Sequence, residues 1–236
     1  MKNYLILALF TGLLLPVQAQ KTDEIYDFPV KPGTEEWARF TTGKQMREAC
    51  QIPIERLNIL STKALVETCM NYPLFLDYVA FNNERQGVKA IIKNFNGLQE
   101  LSRREDCVKE LISFYARFPI ITQNAYKKDI TQYQIQYKLP FLELVIADSL
   151  FISQLSQQEI IELKNIALEK YVEKLENMSV YGLYNVKKTM LLLAVLLDMQ
   201  NDTTDDQRQI IKSFIQNYNQ PDADLLTAVS KVISGL

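Results

Sequence analysis

Residues 190–197 (MLLLAVLL) run without a polar interruption inside a longer helical stretch, 186–199. A helix apolar on every side has to be enclosed by other elements, and this stretch is too short to cross a bilayer. The chain must therefore supply a shell around it. The rest of the sequence says that the shell is helical.

Helix-start signals recur throughout. Thr34 can cap a short helix through Trp37 to Phe40, and Thr41 or Thr42 the next, which ends before Pro53. Ser61 opens the stretch STKALVETCMNY, which stops at Pro73. Further helices are expected at 74–82, 84–94, 97–103 and 105–117, the last stopping before Pro119. Ser156-Gln157-Gln158-Glu159 is a capping box. It opens a helix whose stripe is Ile160, Ile161, Leu163, Ala167, Leu168, Tyr171 and Leu175. Thr204-Asp205-Asp206-Gln207 is a second box, for 205–218, and Asp222 or Asp224 starts a last helix.

Residues 132–139 (QYQIQYKL) alternate polar and apolar like a half-buried strand. Tyr126, Ile130, Tyr133 and Tyr137 also fall at helical spacings. With no partner strand for its backbone groups, the segment is expected to be helical. Leu60-Ser61 with Leu65-Val66-Glu67 is echoed by Leu155-Ser156 with Ile160-Ile161-Glu162, a hint of a helical repeat. Capping plus amphipathicity generates such matches by itself. The expectation is an all-α, compact multi-helix array over residues 34–236, open to a short α-solenoid of stacked hairpins. It follows an extended lead-in at 20–33, with a possible sub-boundary near 118–128.

The first residues carry an address. Lys2, an apolar stretch over residues 4–15, and Val17 and Ala19 at −3 and −1 form a signal peptide, residues 1–19, cut before Gln20. No cysteine comes after it that would route the chain to lipidation. The chain is thus expected to be periplasmic or secreted from a bacterium, with no membrane span once matured. Taking Lys2 from the 26 basic residues leaves 25 against 28 acidic ones, a net charge of −3. That balance gives no reason to bind nucleic acid. Seven glycines and eight prolines are too few for disorder, glycine-rich phosphate loops or a turn-dense β-sandwich.

The chain has no histidine. Ser-His-Asp and Cys-His catalysis both need an imidazole to take the nucleophile's proton. Most transition-metal sites are excluded with it. No catalytic residue, metal ligand or cofactor is assigned. Glu143 and Asp148 lie in the apolar run 141–151; buried, they could act as acid and base, but a five-residue spacing fits one helix face poorly, so they read as a wet stripe. The oxygens of residues 201–206 (NDTTDD) read as helix capping rather than a calcium loop. Cys50 and Cys69, near the ends of consecutive helical segments, are the expected disulfide, with three buried thiols as the alternative. Tyr26, Phe28 and Trp37 in the lead-in, with Tyr133 and Tyr137, are the candidate binding aromatics for peptide or sugar. The competing reading makes the lead-in a latch on the helical body.

Four stretches, YDFPVKPGTEEW (26–37), ACQIP (49–53), STKALVETCMNYP (61–73) and FNGLQEL (95–101), resemble an uncharacterised group of exported bacterial proteins. The resemblance covers residues 26–116 and implies export, with no activity and no site residue attached. The sequence thus points to an exported, non-catalytic helical protein that binds a protein partner in the bacterial envelope or exterior. The alternatives are a carboxylate-dependent hydrolase of cell-wall glycan and a glycan binder.

Overall fold

A computed structural model describes residues 21–119, 137–200 and 203–235. The fold is all-α. The helices are α1 (Glu35–Ala38), α2 (Gly43–Ala49), α3 (Ile54–Ile59), α4 (Thr62–Met70), a 3-10 segment (Phe75–Ala80), α5 (Glu84–Asn94), α6 (Asn96–Leu101) and α7 (Cys107–Arg117). After residues 120–136 come α8 (Leu139–Ile146), α9 (Ser149–Ile152), α10 (Gln157–Glu176), α11 (Met178–Gln200), α12 (Asp205–Gln216) and α13 (Ala223–Ser234). Among the described residues the one β pairing is an isolated parallel bridge, Thr22 with Leu60.

The caps expected from the sequence are in place. Thr42, Ser156 and Thr204 each close a capping box, and Ser61 and Asp222 accept from the third residue of their helices. Ser61 and Ser156 thus do the same job, which accounts for the echo between their two stretches. Residues 74–82 wind as a 3-10 segment between Leu74 and Phe81, a tightened version of the expected helix. The alternating stretch lies mostly outside the described residues; its end, Tyr137 and Lys138, winds into the start of α8.

α11 is the centre. It packs on α8, α10, α12 and α13. Residues 190–197 are buried throughout, except for half-buried Val195. The helical run is longer than the sequence suggested, and by length and composition alone it could cross a membrane. Its enclosure makes it a core helix instead. It is two helices joined at Gly182, whose φ of 64° is open to glycine and strained for other residues. α4 and α7 pair with each other, and α5 joins the 3-10 segment, α6 and α8.

The lead-in is a latch. Thr22 N–H donates to Ile59 O at 2.7 Å, and Ser61 N–H to Thr22 O at 2.8 Å. Tyr26 N–H donates to Thr68 Oγ1 at 3.0 Å, and Phe28 is buried.

Candidate functional site

An apolar concavity lies where α10, α11 and α13 meet. Its volume is about 390 Å³, and Tyr171, Leu175, Met178, Leu183, Met190 and Leu226 line it, with Ser230 and Lys231 at the rim. The Gly182 break lies beside it: Met178 stands four residues before that glycine and Leu183 directly after it. Met178 is 39% exposed, Leu175 37% and Leu183 54%. Val172 and Tyr184 are exposed as well. Tyr171 is held at the floor by its hydroxyl, 2.8 Å from Ser230 Oγ.

Beneath this surface, charge is buried in two places. Glu143, expected on a wet stripe, is fully enclosed. All eight residues of α8 are buried, so that helix has no wet stripe; it ends before Ala147, and Asp148 starts a new one by accepting from Leu150 N–H at 3.0 Å. Lys174 Nζ meets the two oxygens of Glu143 at 2.8 and 3.0 Å and donates to Thr189 Oγ1 at 2.8 Å. Tyr115 and Thr189 hydroxyls donate to Glu143 Oε1, both at 2.9 Å. Tyr115, Glu143, Lys174 and Thr189 are all 0% exposed. Burial lowers the Lys174 pKa, and the Glu143 charge opposes that fall. A general acid must reach its substrate, so this sealed, paired carboxylate does not act as one.

The second place is Lys188. Its Nζ lies 2.8 Å from Glu84 Oε2, an ion pair that lacks the alignment of a hydrogen bond, and sits over the Tyr184 ring. Tyr184 hydroxyl donates to the other oxygen of Glu84. Burial pushes the Lys188 amine down to about 7, against the pull of Glu84. Neither lysine pairing is legible locally, because the partners come from helices far apart in sequence. Their sign was the presence of Glu143 and Lys188 within or beside runs otherwise apolar: a charge enclosed there needs a partner.

The candidate binding aromatics are dispersed. Tyr26 and Phe28 pack edge-on at 5.1 Å under the latch. Trp37 pairs instead with Phe40, and half-buried Tyr137 accepts at its carbonyl from Tyr78 hydroxyl at 3.2 Å. Tyr133 lies outside the described residues. The disulfide expected between Cys50 and Cys69 is not formed: these two and Cys107 are separate, buried thiols. Cys69 is enclosed within α4, whereas the Cys50 sulfur turns to the Val30 carbonyl, 3.7 Å away. Burial raises the Cys50 and Cys107 thiols to about 11, so both stay protonated and unreactive at neutral pH. Among the described residues, none cluster as a metal site would require.

Fold and site together define an all-α protein with an apolar groove at a helix kink. Comparison of the chain with protein-family models, curated proteins and solved structures finds no match.

Proposed function

We propose that this chain is an exported, non-catalytic helical module of the bacterial envelope or exterior, and that the α10–α11–α13 groove receives an apolar surface of a protein partner. One observation carries the reading: Leu175, Met178 and Leu183 stand together, more than a third exposed, along a groove with an apolar floor. Contiguous exposed apolar surface of this kind marks interaction sites on soluble proteins. Export is supported by residues 1–19, which have the n-region, apolar stretch and small-residue cut of a signal peptide.

The test places a photoreactive residue at Leu183 in exporting cells, with a control probe at Ile54, which is 67% exposed in α3. A discrete adduct is expected from position 183 alone, and L175E should abolish it while the circular dichroism spectrum stays unchanged. An adduct formed equally from both positions, or from neither, would refute the groove. Intact-mass analysis of the exported chain should find it beginning at Gln20.

A further inference from the structure

The segment that latches the N-terminus is held as a bound peptide would be. Thr22 pairs by both backbone groups across Leu60, and Asp23 accepts from Ser61 Oγ at 2.5 Å. Four residues on from Thr22, Tyr26 N–H meets Thr68; then Phe28 enters an aromatic seat. Its ring lies 6.2 Å from Tyr72 and 6.1 Å from Phe95, which stack on each other at 4.0 Å. Backbone pairing for affinity and a side-chain pocket for choice are the elements of strand-addition recognition.

Beyond this segment the chain is attached far more loosely. Neither α1 nor α2 buries a single residue, and burial resumes only at Cys50. Gly33, at φ 96°, turns the chain just after the latch, with nothing within 4 Å of the place a Cβ would occupy. Residues 31–49 are thus a largely solvated arm between an anchored peptide and the body, touching the core through half-buried Trp37 and Met46. An element with so few buried contacts opens at small free energy.

We propose that the cleft formed by the α3–α4 junction, Tyr72 and Phe95 is a peptide-binding site occupied in cis by residues 22–30. Its partner presents an extended segment with an aromatic residue six positions beyond the residue that pairs with Ile59 and Ser61. The tethered segment competes at an effective concentration of about the millimolar range. It therefore sets a threshold that weak peptides do not pass. This site lies apart from the α10–α11–α13 groove and stands or falls independently of it.

The probe is a fluorescent peptide of residues 20–33 added to the full chain, with anisotropy as the readout. The F28A chain, whose own latch is weakened, should bind it at least tenfold more tightly than the parent chain. A peptide carrying F28A should bind neither. If the F28A chain does not fold, T22P removes the N–H that reaches Ile59 without touching the core, and the same contrast is expected. Equal binding by both chains, no binding by a folded variant, or unimpaired binding of the F28A peptide would each overturn the proposal. So would a parent chain that sediments as a dimer dissolved by F28A, since a second copy would then be the occupant.

Discussion

The two halves of the molecule solve the same problem by different means. Before residue 120 the helices are short, and many of their ends are tied by polar side chains that take the place of backbone. Asn96 accepts from Ile52 N–H at 2.9 Å and donates to Ile52 O at 2.7 Å, pairing with it as a neighbouring strand would. Gln51 makes the reciprocal pair, accepting from Asn96 N–H and donating to Asn94 O. Arg104 closes the end of α3 through the carbonyls of Leu57 and Leu60. After residue 137, α10 and α11 are long enough to satisfy their own backbone, and polar specificity comes from buried charges at their contacts. Short helices have many orphan ends to satisfy; long apolar helices can slide, and an enclosed ion pair penalises wrong registers.

If this contrast is right, the C-terminal half should fail hardest when one charge is removed. E143A leaves Lys174 enclosed without its counter-ion and should lose about 3–5 kcal/mol in urea unfolding. Adding K174M to it should recover much of that loss, because the uncompensated charge goes too. The N-terminal half should instead be sensitive to crowding at its tied ends. A Cβ at Gly97 would run into the Phe95 ring and come within 2.9 Å of the Ile52 side chain. G97A should therefore cost about 1–3 kcal/mol, and the near-ultraviolet dichroism of the Tyr72–Phe95 stack should change.

The smallest effect at neutral pH is expected at Lys188, where the ion pair is least complete. Glu84 would keep its bond from Tyr184 and remains partly hydrated, so K188M should shift stability by no more than about 1 kcal/mol. Its signature lies in the pH dependence. The folded amine titrates near 7, and the unfolded one at about 10.4. Between these values the unfolded chain holds a proton that the folded chain has lost, so stability climbs as pH rises through that window and the gain is absent below it. Burial lowers Lys138, Lys170, Lys174 and Lys187 as well, with the same sign. K188M should reduce the slope by about one proton between about pH 7.5 and 9.5. An unchanged slope would mean that the Lys188 amine is solvated in the folded chain.

The helices of both halves were largely legible in the sequence, because capping and amphipathic period are local signals. Ser156, Thr204 and Asp222 announce their helices within four residues. The illegible part is non-local. Glu143 reads as a hydrated residue until Lys174, Thr189 and Tyr115 are known to surround it. The Gly182 kink leaves no trace in composition, since nothing near it requires a break. The four stretches carrying the resemblance looked unrelated, yet Phe28, Ile52, Tyr72, Phe95 and Gly97 belong to one cluster. FNGLQEL is explained there: Phe95 stacks, Asn96 pairs with Ile52, and Gly97 leaves room for both. The aromatics of the lead-in are close along the chain, yet Phe28 is buried under the latch while Trp37 pairs with Phe40.

The latch also has a place in time. A chain made from its N-terminus delivers residues 22–30 early, but their seat is incomplete until Phe95 has emerged. For the length of chain between them, Tyr26 and Phe28 have nowhere native to go. Pairings so distant form late, after the loop between them has been closed. A segment that leaves the ribosome early is thus among the last to find its place, and a holding factor met during that interval would find two exposed aromatic rings on offer.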